Sequence, residues 1–290
     1  MNDQAQALRR MIENNTEDQA KTLAVVSGKG GVGKSNISIN IAAQLNERGY
    51  KVLLFDLDLG MGNVNIILGH SSAHTLSDFL NKGLPIESII YRTPAGISYI
   101  SAGNGLNEAI ELNASMLSRL LTALKDIQRQ YDYIIFDMAA GANSATMKIL
   151  LAADDILVIS TPEPTAMTDA YSMMKFICME ETESEFFLIC NRADNERQGR
   201  ETLERLQKTT VLKFLHKNVN LLGVLPEDPH VRKAVINQDV FSTKFPRASI
   251  SIKLELILDR YLNYQKTPMT KQQAPSSFVG KLRKLFYRKD

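Results

Sequence analysis

The chain has 290 residues, 44% of them hydrophobic, and a formal net charge of +2. Its N-terminus is polar and holds no apolar stretch, which excludes a secretory signal, and no window of about 18 apolar residues is available to span a bilayer. The two cysteines, Cys178 and Cys190, sit in apolar contexts without a C-x-x-C pair and read as reduced core residues of a cytoplasmic protein.

In chain order, Thr22–Ser27 is a β-branched run of buried-strand length, followed by the glycine-rich string GKGGVGKS at residues 28–35. Ile37, Ile41 and Leu45 then recur at helical spacing and stop near Gly49. A second apolar run, Lys51–Phe55, ends in Asp56 and Asp58. Further strands are expected at Gly96–Ser101, Tyr131–Asp137, Asp155–Ser160, Phe186–Cys190 and Leu221–Leu225, with helices near 113–130, 164–180, 198–216 and 250–264. Such alternation predicts an α/β fold: one P-loop NTPase domain over 21–265, its mostly parallel sheet covered by helices on both faces. A segment at 1–20 precedes it. A linker at 266–275 and a short helix at 276–290 follow.

The string at 28–35 matches G-x-x-x-x-G-K-[ST] between a strand and a helix, the context a phosphate-binding loop needs. Backbone N–H groups of Gly28, Gly30, Gly31, Val32, Gly33, Lys34, Ser35 and Asn36 can point at polyphosphate oxygens, with the positive end of the helix dipole behind them. Lys34 would lie against the β- and γ-phosphates, and Ser35 would give its hydroxyl to Mg²⁺. Alternation along an extended segment puts Asp56 and Asp58 on one face beside the phosphates. Asp137 ends a buried strand in the Walker B manner and would organise Mg²⁺, while Gly141 could offer its backbone N–H to the γ-phosphate. His70, His74, His216 and His230 show no metal-ligand spacing.

The second lysine of the loop, Lys29, resembles the deviant Walker A signature of the ParA/MinD superfamily. The resemblance implies that Lys29 crosses a homodimer interface to contact the partner's nucleotide, and that Asp58, in a D-x-D-x-G switch, positions the attacking water. It further implies that Asn191, Arg192, Pro226 and Asp228 frame the base, with ATP/ADP favoured over guanine nucleotides. Where the superfamily usually has Pro-Ala-Gly, this chain has Ala139-Ala140-Gly141.

Charge divides unevenly. Residues 266–290 carry a net +6, which leaves −4 on residues 1–265, a poor balance for coating DNA. Within that tail Phe278, Val279, Leu282, Leu285 and Phe286 line one helical face with cations opposite. At this length the helix cannot span a bilayer but suits the headgroup region, and it resembles the C-terminal membrane-targeting helix of MinD-like ATPases. At the other end, Asp3, Gln4, Ala5, Leu8 and Arg9 spell D-Q-A-x-x-L-R. This resembles the activator motif of the FlhG-type MinD-like ATPases, which set flagellar number and placement. It implies stimulation of an FlhF-type GTPase, contact with flagellar basal-body or C-ring proteins, and a peripheral position on the inner face of a bacterial cell membrane, bound to anionic lipids. A ParA-type DNA-partition ATPase and a MinD-type division-site ATPase remain as alternatives.

Overall fold

The computed structural model describes residues 19–58, 64–70, 72–93, 96–101, 103, 113–139, 144–180, 182–213, 218–266 and 277–288. Eight strands, β1 (Lys21–Val26), β2 (Val52–Leu57), β3 (Tyr91–Arg92), β4 (Ser98–Ser101), β5 (Tyr133–Met138), β6 (Asp155–Ser160), β7 (Glu185–Ala193) and β8 (Val219–Pro226), form one sheet in the order β3-β4-β2-β5-β1-β6-β7-β8. Every pairing is parallel except β3 with β4 at the edge. The central strands β2, β5 and β6 are buried throughout, which is why they read as unbroken apolar runs and not as alternating ones.

Helices cover both faces. On one lie α1 (Lys34–Glu47), α2 (Val64–Leu68), α8 (Pro229–Ile236), α9 (Phe241–Lys244) and α10 (Ser249–Lys266). On the other lie α3 (Leu76–Lys82), α4 (Ala114–Gln130), α5 (Ser144–Ala152), α6 (Pro164–Met179), α7 (Glu196–Lys213) and α11 (Phe278–Tyr287). The sequence-based fold class therefore stands. Elements absent from that reading are short: α2, α5, α8, α9, the edge strand β3, a 3₁₀ turn at Ile86–Ile89, and α3, whose Thr75/Asp78 capping box was a usable signal.

Three boundaries differ from expectation. Ala20 is buried and its N–H donates to the Gln128 carbonyl at 2.7 Å, so the body begins one residue earlier than the leader 1–20 allowed. Lys266 belongs to α10, not to the linker. The third difference is the largest. α11 packs on α5 and α4, with Phe278 and Leu282 1% and 0% exposed. Phe278 stacks on Phe136 of β5 at 5.3 Å between ring centroids, and Lys148 of α5 lies 4.9 Å over the Phe286 ring. The apolar face expected to meet lipid is satisfied inside the molecule, because a groove beside Phe136 offers it the same exclusion from water. Replacing Phe278 by Ala should lower unfolding stability of the nucleotide-free protein by roughly 2–3 kcal/mol. Urea titration would check it; a cost near zero would mean that the helix does not rest on the body.

Candidate nucleotide site

The parallel sheet sets the site by register. Asp56 stands directly opposite Asp137 on β2 and β5, and Val25 of β1 lies opposite Asp137 on the other side. Three adjacent strands thus end together at their carboxyl edge, where open α/β sheets bind ligands. From β1 the chain turns through the loop into α1. Gly33 supplies the left-handed conformation at the helix start (φ +91°), and a Cβ there would lie 2.5 Å from Asn191 Nδ2. Gly28 is needed for a different reason. A Cβ on it would fall 2.0 Å from the Asp169 carbonyl carbon, so the loop rests backbone to backbone on α6.

Lys34 and Asp137 form a buried ion pair, Nζ to Oδ1 2.6 Å, with exposures of 7% and 0%. Ser38 Oγ donates to the same oxygen at 3.2 Å, while Asp137 Oδ2, equally buried, has no hydrogen-bond partner among the described residues. Burial first, and then the charge of Asp137, push the Asp56 carboxyl up to about 7, against the weaker lowering of N–H donation from Asp58 and Val64. Two carboxylates in register, one with a bare buried oxygen, beside a loop carrying Ser35, are a donor set that suits a hard divalent cation. The residues present fit Mg²⁺.

Asp58 does not stay on the strand face expected of it. β2 ends at Leu57, and the Asp58 N–H folds back to Asp56 Oδ1 at 3.1 Å in an Asx-type turn, leaving Asp58 half-buried above Asp56. Lys29 points away from Lys34: its Nζ lies 2.7 Å from Glu163 Oε2 and 3.1 Å from Thr165 Oγ1. The hydrogen bond and charge of Lys29 hold the Glu163 carboxyl below its usual range. Glu163 and Thr165 were not singled out in the sequence, although they follow β6, the strand next to β1.

On the base side, a cleft of about 220 Å³ is lined by Gly31, Gly33, Asn36, Asn191, Arg192, Pro226 and Asp228, with Phe241 and Ile250 below. Asn191 does not offer its amide freely; Nδ2 donates to the Val32 carbonyl at 2.8 Å and holds the loop. Nor does it cap the following helix, since Asn195 Oδ1 accepts from Gln198 N–H there. Arg192 takes φ +56°, uncommon for a residue with a Cβ, pairs with Glu227 at 2.7 Å and donates to the Gly31 carbonyl at 3.4 Å. Asp228 caps α8 through the His230 N–H and also accepts from Ile250 N–H, tying β8 to α10. Gly141 and residues 3–9, named from the sequence, lie outside the described residues.

Fold and loop define a P-loop NTPase with a second lysine in its phosphate cradle. The family described as an AAA domain matches residues 20–186. The antiactivator FleN of Pseudomonas aeruginosa is 32% identical over 83% of this chain and 85% of its own length. The flagellum site-determining protein YlxH of Helicobacter pylori is 30% identical over 89% of each. The MinC:MinD cell division complex of Aquifex aeolicus shares the fold at TM-score 0.67 and 24% identity, covering 87% of this chain and 99% of that one. MinD complexed with Mg-ADP from Pyrococcus horikoshii does so at 0.67 and 23%, over 86% and 100%. The chain belongs to the FlhG (FleN, YlxH) family of MinD-like ATPases. It is an ATP-binding, ATP-hydrolysing protein.

Lys34→Met strands Asp137 as a buried charge and takes the lysine out of the loop. It should abolish ATP binding and, separately, lower the stability of the nucleotide-free protein by about 3 kcal/mol. Calorimetric titration and thermal melts read the two effects independently.

Proposed function

We propose that this chain is an ATP-controlled membrane switch that regulates flagellar number or placement, and that it dimerises with Mg-ATP before it hydrolyses. The observation that carries this reading is the seat of the amphipathic helix. α11 rests on α5, the helix that follows the strand bearing Asp137. A change around Asp137 therefore has a short mechanical route to the helix.

Mg²⁺, bound by Ser35, Asp56 and Asp137, would neutralise charge on the terminal phosphates as the bond to the γ-phosphoryl group loosens. Lys34, which pairs with Asp137 at 2.6 Å, is the cation that would also meet the terminal phosphates. Asp58, half-buried and held by the turn onto Asp56, orients the attacking water. Lys29 must leave Glu163 and reach across a dimer interface, where its charge stabilises the other protomer's transition state. The base lies in the cleft of Asn36, Asn191, Arg192, Pro226 and Asp228, with Gly141 closing on the γ-phosphate. Asp58→Ala should still bind ATP and accumulate as a dimer with at least ten-fold slower turnover, as Asp58 touches no ground-state phosphate. Lys29→Ala should bind nucleotide and stay monomeric. Light scattering with phosphate release measures both, and ordinary turnover in either variant removes the trans mechanism.

α11 then exchanges its groove for a bilayer. Val279, Leu285 and Phe286 are partly exposed already, whereas Phe278 and Leu282 must be uncovered. One helix anchors marginally; two on a dimer reinforce each other through high effective concentration. Leu285→Asp with Phe286→Asp, chosen because neither is fully buried, should abolish ATP-dependent sedimentation with anionic vesicles and spare ATP binding. Retention on DNA in place of vesicles would reassign the protein to the partition ATPases. The leader bearing Asp3, Gln4, Ala5, Leu8 and Arg9 acts on an FlhF-type GTPase, Gln4 orienting a water in the partner's site. Deleting residues 1–18, and not 1–20, should abolish GTPase stimulation while leaving dimerisation intact, because Ala20 belongs to the body. Basal-body or C-ring proteins are the further partners this reading implies.

A further inference from the structure

Two consecutive aspartates stand where β6 begins, at the end of the sheet opposite the nucleotide, and they serve opposite faces. Asp155 Oδ2 accepts from Tyr261 Oη and from Gln265 Nε2, each at 2.7 Å, and so fixes the last turns of α10. Asp154 looks the other way. Its Oδ2 accepts from the Thr22 N–H at 3.0 Å and the Thr22 hydroxyl at 2.7 Å, and its Oδ1 pairs with Lys281 Nζ of α11 at 2.8 Å. Lys281 is 12% exposed along its side chain, and the pair is the ion pair that joins α11 to the body among the described residues. The other cations of the helix, Arg283, Lys284 and Arg288, are exposed. One cation of these four is therefore committed inward.

We propose that the Asp154–Lys281 ion pair is the latch of the lipid-binding helix, opened when Lys281 exchanges Asp154 for an anionic lipid headgroup. The proposal rests on the reading of α11 as lipid-binding and assigns its control to a single carboxylate. Apolar contact alone would discriminate poorly between groove and bilayer, since either one covers Phe278 and Leu282. A sheltered charge pair does discriminate. Leaving the groove strands Lys281 unless a negative group awaits it, so a neutral membrane is a poor exchange and an anionic one a good one. Asp154 survives the exchange because Thr22 continues to donate two hydrogen bonds to it and water can reach the sheet end. Asp155 meanwhile keeps α10 in place, so release stops at Lys266.

The test uses the full-length protein without nucleotide and with ATP, on phosphatidylcholine vesicles with and without phosphatidylglycerol. Hydrogen exchange over residues 278–287 reads the latch, and co-sedimentation reads lipid binding. Asp154→Asn keeps the Thr22 bonds but removes the charge. It should speed exchange in α11 about ten-fold and bring the nucleotide-free protein onto phosphatidylglycerol vesicles. Asp155→Asn should loosen α10 and leave α11 exchange as in the parent. Lys281→Gln should speed exchange as Asp154→Asn does, yet bind vesicles more weakly, having lost the lysine the lipid would take. Unchanged α11 exchange in Asp154→Asn overturns the latch. Should that variant fail to fold by circular dichroism, unchanged exchange in Lys281→Gln overturns it equally. Faster exchange without any vesicle binding keeps the latch and sinks the lipid reading of α11.

Discussion

Everything at the carboxyl edge of the sheet depends on one constraint: Asp137 is a fully buried carboxylate and must be paired. β5 brings it into the middle of the sheet beside β1 and β2, where no solvent reaches it. Among the described residues the loop lysine is the cation that pairs with it, Lys34 at 2.6 Å. The loop is thereby fixed against the strand that carries Asp137. The second carboxylate in register, Asp56, is left without a cation of its own and drifts toward the protonated form. A buried pair of this kind adds little net stability. What it supplies is a fixed position for the loop lysine beside the two carboxylates.

The same economy governs the amphipathic helix. On the reading proposed above, its apolar side chains have two possible covers, the groove beside Phe136 and a membrane, and a helix that fits both is placed by modest changes elsewhere. In the structure α11 rests on α5, the helix that follows the strand of Asp137, while its Lys281 pairs with Asp154 at the opposite end of the sheet.

How much of this was legible in the sequence follows from the range of the interactions involved. The β–loop–α unit of Lys34, the acidic strand ends and the buried strands are local patterns, and each was read close to its true bounds; Asp155–Ser160 is identical. The short elements α2, α8 and α9 are held by tertiary packing and carry no period long enough to detect. Contacts such as Lys29 with Glu163 or Lys281 with Asp154 join residues more than a hundred positions apart, and no local pattern encodes them. The tail shows the limit most clearly. Phe278, Leu282 and their neighbours announce an amphipathic face, but periodicity is indifferent to whether the apolar partner is lipid or Phe136.

That indifference has a consequence for how the ends of this chain are organised. Ala20 and Thr22 root the leader at the amino end of β1, and Thr22 shares the Asp154 carboxylate with α11. The root of the leader and the docked helix are thus neighbours, although they are more than 250 residues apart in sequence. A helix leaving its groove uncovers one side of the carboxylate that also pins the start of β1. That shared carboxylate is a direct physical connection between the C-terminal helix and the start of β1, and it does not run through the nucleotide site.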